Sequence, residues 1–214
     1  MSQSRHSVYR RLGRVVLAGV LLMNGAASAA LVSEWRMDEQ AWSGATGEVV
    51  DSVGGIDGRA RTSGSSNSLP DTASAKVCRG GYFRGQGFND PDNSNAYVQA
   101  QHYVEIPDSN ALSPLASTGS ISLSGWIRPG ANGDLTVLHK GEGGNTQEYQ
   151  IAVENQRLGF TVWNANGSPS TLQATSVNLA PGNWYYFGAS ADRQGNGNQL
   201  RANLFLFDQA GSLI

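Results

Sequence analysis

Tyr103-Val104-Glu105-Ile106-Pro107-Asp108, then Asn110-Ala111-Leu112-Ser113-Pro114, then Ser120-Ile121-Ser122-Leu123-Ser124-Gly125-Trp126-Ile127: these three pieces decide the fold class. The first is a short run of strand formers halted by a proline turn. The last alternates strictly. Strand side chains repeat with period two, so Ile121, Leu123 and Ile127 share one face and Ser120, Ser122, Ser124 and Trp126 share the other. Arg128-Pro129-Gly130 stops the run. An aliphatic face backed by a small-polar one suits a sheet of an antiparallel sandwich.

Outward from this stretch the same pattern recurs. Residues 31–37 predict a strand with Leu31, Trp35 and Met37 on one face and Glu34 and Arg36 on the other. Residues 135–139, 149–153, 158–163, 184–191 and 201–207 predict further strands, joined by Gly- or Asn-bearing connections such as Glu154-Asn155-Gln156-Arg157. Trp35 and Trp184 read as core. The Asp192–Asn198 connection carries no apolar residue and reads as a flexible turn. Helical periodicity is absent, and residues 51–95 are loop-rich, with 62–68 forming a surface loop. Leu213-Ile214 begins another strand after the Gly211-Ser212 turn, so the expectation is a sandwich lacking its last strand or strands, within a longer protein.

The N-terminus predicts a signal peptide over residues 1–29. Arg5, Arg10, Arg11 and Arg14 form a basic region, Val15 to Met23 a nine-residue apolar run, and Ala27-Ser28-Ala29 a small-x-small cleavage site. The apolar run is shorter than the ~20 residues a spanning helix needs. The chain is therefore expected to be exported, to the periplasm, the outer cell surface or beyond, with no membrane span after cleavage, and residues 30–214 form one domain. Without the signal arginines, 11 Lys+Arg stand against 17 Asp+Glu, a net charge of −6 with no basic cluster. That argues against nucleic acid as a partner. The single cysteine, Cys78, leaves three fates open: pairing with a cysteine beyond residue 214, pairing with another chain, or burial as a small apolar residue.

Several pieces recur in an order that resembles the laminin-G-like branch of the concanavalin A-like lectin/glucanase superfamily. They are Trp35-Arg36-Met37-Asp38-Glu39, Val50-Asp51-Ser52-Val53-Gly54-Gly55-Ile56-Asp57-Gly58 and Gly81-Tyr82-Phe83. Tyr103 to Ile106, Ser122 to Pro129, and Gly182-Asn183-Trp184-Tyr185-Tyr186-Phe187 follow. The resemblance covers nearly all of residues 31–212 and implies an antiparallel jelly-roll β-sandwich that binds sugars or proteins, often with calcium. The Glu34–Glu39 opening, the Val77–Phe83 segment and the signal peptide look most like the N-terminal part of biogenesis proteins of the mannose-sensitive haemagglutinin (MSHA) type IV pilus. This implies pilus components as possible partners. The family's usual last segment, an Asp-Glu-Val-Arg-Ile-Tyr-like strand, is missing here.

Catalysis is not expected. Retaining glucanases hold two carboxylates about 5–5.5 Å apart, and a Glu-x-Asp-x-Glu strand would place three on one face. Here Glu34 and Asp38 would lie roughly 13 Å apart along an extended strand, with Glu39 turned away. His6, His102 and His139 form no His/Ser/Asp pattern. For calcium, Asn89-Asp90-Pro91-Asp92-Asn93-Ser94-Asn95 gathers oxygen donors, and Asp51 and Asp57 add two more among glycines; Asp90, Asp92, Asp51 and Asp57 are the candidate ligands. The same residues are also ordinary turn formers. For a sugar, Trp163 heads the polar loop with Asn164 and Asn166, Trp126 sits on the serine face, and Trp42 is placed near the surface. The reading is a non-catalytic recognition or adhesion module for a glycan or surface protein. Its alternatives are a spacer with no ligand and a hydrolase of the same architecture.

Overall fold

A computed structural model describes residues 30–63, 68–84, 88–89, 97–98, 101–117, 119–130, 134–141, 146–164, 166–194 and 199–214. The expected signal peptide lies outside the described residues. Thirteen strands are described: β1 (Arg59–Ser63), β2 (Asp71–Ser74), β3 (Arg79–Tyr82), β4 (Phe88–Asn89), β5 (Tyr97–Val98), β6 (Gln101–Glu105), β7 (Ser120–Ile127), β8 (Leu135–Lys140), β9 (Tyr149–Glu154), β10 (Arg157–Trp163), β11 (Pro169–Gln173), β12 (Tyr185–Gln194) and β13 (Gln199–Phe207). Helix among the described residues amounts to a 3-10 turn at Asn110–Leu112 and one α-turn, α1 (Pro114–Ser117). The protein is an all-β antiparallel sandwich, as the alternating run predicts, in the jelly-roll form that the resemblance implies.

Two sheets form the sandwich, one ordered β11-β10-β9-β8 and the other β13-β12-β7. Every pairing within them is antiparallel. One core cluster joins them: Ile121 of β7, Ile151 and Val153 of β9, Leu158, Phe160 and Val162 of β10, Phe187 and Ala189 of β12, and Leu206 of β13. Strand β10 shows the cause, since its buried residues alternate with partly exposed ones along its whole length. Burying each large aliphatic or aromatic side chain contributes roughly 1.5–3 kcal/mol, so the pleat can face only one way.

Three expectations are corrected. Residues 31–37 form no strand; Trp35 makes a single bridge to Asp51, and Met37 at φ +56° breaks the extended backbone that alternation assumes. Trp184 is not core. It stands one residue ahead of β12 and is half-buried, while Tyr185 begins the inward series. The register Tyr185↔Ile127 and Phe187↔Gly125 sets that parity. Trp42 is buried at 8% exposure, with Val49 and Ala60 in a second cluster flanked by Trp35, Met37 and Val104. Phe83 covers its ring at 6.0 Å, and its Nε1 donates to Glu39 Oε2. The 213–214 segment does pair, through a Phe207↔Leu213 bridge and Ile214 N donating to Leu206 O.

Candidate functional site

The outward face of the four-stranded sheet is built by the positions that alternate with the core. On β10 these are Arg157, Gly159, Thr161 and Trp163, with Arg157 paired to Glu154 at the end of the strand away from Trp163. Register sets Thr161 beside Gln150 of β9 and Thr171 of β11, and Gly159 beside Ala152 and Gln173. On β8 a bulge between Thr136 and Leu138 turns Leu135 and Leu138 toward core partners Val153 and Ile151, while Thr136 and His139 oppose Ala152 and Gln150. Unbroken alternation would have put His139 on the same face as Leu135; the extra residue reverses it. Sequence reading therefore missed His139. Its ring lies 6.2 Å from that of Trp163, tilted by 50°.

None of Thr136, Gln150, Thr161, Thr171 and Gln173 carries a charge. Thr161 and Thr171 share a hydrogen bond between hydroxyls (2.8 Å), and Gln150 Nε2 donates to Thr136 Oγ1 (3.4 Å). The Ala152–Gly159 pair lowers the middle of the face, since neither has a side chain beyond a methyl. Half-buried Trp163 borders it, its backbone N–H donating to Glu148 O. An anchored indole beside amide and hydroxyl groups can stack on an apolar sugar face and hydrogen-bond its edge.

The loop after Trp163 is organised by Asn164. Its Oδ1 accepts from Asn166 N (3.0 Å) and Ser168 N (2.9 Å), its backbone N–H donates to Ser168 O, and its carbonyl accepts from Gly167 N. This is the side-chain turn that asparagine favours. Asn166 stands exposed at the loop's end. Trp163, Asn164 and Asn166 thus come together; Trp126 does not join them. It lies on the outward face of the other sheet, 5.4 Å from the Tyr186 ring, which in turn lies 6.1 Å from Phe207. Lys76 Nζ sits 5.3 Å over the Trp126 ring and donates to Gln209 O.

The acidic residues of the N-terminal segment organise backbone. Asp51 Oδ1 accepts from the backbone N–H groups of Glu34, Val53 and Gly54, and its Oδ2 from that of Ile56. Burial pushes its pKa up, but those four donors outweigh burial and hold the carboxyl well below its ordinary range. Asp57 Oδ1 accepts from Asp51 N. Glu48 is likewise lowered: burial opposes, while the backbone amides of Ser43, Ala60 and Gly44 prevail. Glu34 is lowered by the Ser52 hydroxyl and then Arg36, and the bend at Met37 removes the shared face with Asp38.

Asp51 thus takes three backbone N–H groups at Oδ1 and one at Oδ2. Among the described residues no group of three or more His, Cys, Asp or Glu side chains is placed to hold a metal. Asp90 and Asp92 lie outside the described residues. His102 is buried, accepting from Arg84 N at Nδ1 and facing Ser68 Oγ through Nε2, an arrangement that suits the neutral ring protonated on Nε2. Cys78 is exposed, at φ +52° in the β2–β3 turn.

Residues 98–203 match a family model described as the concanavalin A-like lectin/glucanases superfamily. No curated protein matches the chain. Among solved structures it is similar to the binding domain of botulinum neurotoxin DC in complex with rat synaptotagmin II, at 15% identity and TM-score 0.47 over 86% of this chain and 38% of that one. A botulinum neurotoxin type C structure, described with the dependence of its cell entry on two ganglioside molecules, gives 13% identity and TM-score 0.46 over the same shares. The chain spans less than two fifths of the length of those solved chains. Strand order and register, rather than this likeness, carry the fold. Among the described residues no helix is long and apolar enough to cross a membrane.

Proposed function

We propose that the protein is a non-catalytic recognition or adhesion module whose ligand is a glycan, received on the outward face of the β11-β10-β9-β8 sheet. One observation carries this reading: half-buried Trp163 beside His139, with hydroxyl and amide groups lining the face around them and the charged Arg157–Glu154 pair set at the far end of β10 and β9. Trp163, Asn164 and Asn166 are the contact residues; Trp126 serves packing under Lys76. The hydroxyl and amide lining around Trp163 favours neutral sugars over anionic ones, because half-buried charge without a partner is costly. Support for a non-catalytic role comes from the acids Glu39, Glu48 and Asp51, whose oxygens hold backbone or indole N–H groups.

The setting we propose is an exported, pilus-associated surface protein, with residues 1–29 as signal peptide and 30–214 as the binding domain. Its support is the resemblance of the Glu34–Glu39 and Val77–Phe83 segments to MshQ, a biogenesis protein of the MSHA pilus. Calcium belongs to this proposal only at Asp90 and Asp92; a melting shift in ~1 mM calcium, abolished in the Asp90→Asn/Asp92→Asn variant, is the expected outcome. A glycan array tests the main reading. Saturable binding to neutral glycans that disappears in Trp163→Ala supports it. Saturable binding to none, with pilin binding also absent, favours the spacer instead.

A further inference from the structure

We propose that Asn166 is a covalent modification site, at which its side-chain carbonyl carbon is captured by the backbone nitrogen of Gly167 under a brake set by Asn164. The reaction requires an amide side chain one residue ahead of a nitrogen it can meet in a five-membered ring. Glycine presents that nitrogen with no side chain to obstruct the approach. Asn166 is exposed and Gly167 follows it at φ +75°. Gly167 N gives up its proton and bonds to Asn166 Cγ; the bond from Cγ to the amide nitrogen breaks, and ammonia leaves carrying a proton. Water then opens the succinimide at either carbonyl, leaving aspartate or isoaspartate. Water is the only reagent consumed, and no electron changes hands.

The brake lies in the loop's own hydrogen bonds. Gly167 N donates to Asn164 O at 2.9 Å, so the attacking nitrogen is engaged. Asn164 Oδ1 also holds Asn166 N at 3.0 Å and Ser168 N at 2.9 Å, which fixes the backbone on both sides of the reacting bond. These contacts loosen before the nitrogen turns toward Cγ. The consequence rests on the glycan reading above: modification places a carboxylate three positions from Trp163, beside the hydroxyl and amide lining, and shifts its selectivity away from anionic ligands as the protein ages.

Mass spectrometry of the tryptic fragment 158–193 tests this after incubation at mildly alkaline and mildly acidic pH. The expected result is replacement of amide by carboxyl at Asn166, faster in alkali because the nitrogen must lose its proton. Asn164→Ala should react about fivefold faster, the weight of roughly one hydrogen bond. Asn164→Asp keeps the accepting oxygen and should match the wild type, which separates the brake from a general loss of folding. Asn166→Gln should show no gain at this position. An unmodified Asn166, or equal rates in wild type and Asn164→Ala, would overturn the proposal. The readout is mass rather than binding, so a failed glycan assay leaves it standing and its own failure leaves the glycan reading standing.

Discussion

The carboxylate of Asp51 accepts from four backbone N–H groups, at Glu34, Val53, Gly54 and Ile56, and so ties residue 34, where a strand was expected, to the turn at 53–56. Asp51→Ala strands those donors in a buried site. A loss of about 3 kcal/mol follows, read as a lower urea midpoint at unchanged slope. Gly54 has a different constraint, since a Cβ there would lie 2.4 Å from Val32 O. Gly54→Ala should cost roughly 1–3 kcal/mol in the same assay. The Asp-Ser-x-Gly spacing was visible in the sequence, but not what it did. Oxygen donors among glycines look alike whether they face a cation or amides, and only the hydrogen-bond partners separate the two. Trp42 was misplaced for a related reason: flanking alanine, serine and glycine suggest a loop, whereas burial came from distant Val49, Ala60 and Phe83.

At the scale of strands, alternation was legible wherever the pleat ran unbroken. In β7 Ile121 and Leu123 point inward and Ser122 and Ser124 outward, as period two requires. The contrast within β10 tests it. Phe160→Ala should cost about 3–5 kcal/mol, whereas Thr161→Ala, on the outward face, should cost about 1 kcal/mol or less by denaturant unfolding. Alternation failed at irregularities that hydrophobicity does not encode. The β8 bulge moved His139 outward, and the left-handed residue Met37 ended the first strand before it formed. Register failed by one at Trp184, because two adjacent aromatics, Trp184 and Tyr185, both satisfy an apolar pattern and only pairing with β7 chooses between them.

For the molecule as a whole, the shifted groups define a window of pH stability. Asp51 and Glu48 have folded-state pKa values below their unfolded ones, so their contribution is present above about pH 4–5 and lost as pH falls through the folded values. Tyr149 is raised, by burial first and by Glu148 second, and its hydroxyl donates to Leu112 O. Its contribution is present below about pH 10 and lost above it. Melting temperature should therefore be flat from about pH 5 to 9 and fall on both sides, with Asp51→Asn weakening the acid limb; a fall between pH 8 and 6 would contradict this. The sandwich itself was legible from one alternating run, yet the face proposed to bind was not. Trp163 and Asn164 are neighbours in sequence, whereas Gln150, Thr171 and His139 reach them only through pairing. Backbone amide shifts on titration with neutral oligosaccharides therefore test the account most directly. Saturable changes centred on His139, Gln150, Thr161, Trp163 and Thr171 are predicted; changes centred on Trp126 and Tyr186, or none at saturation, would contradict it.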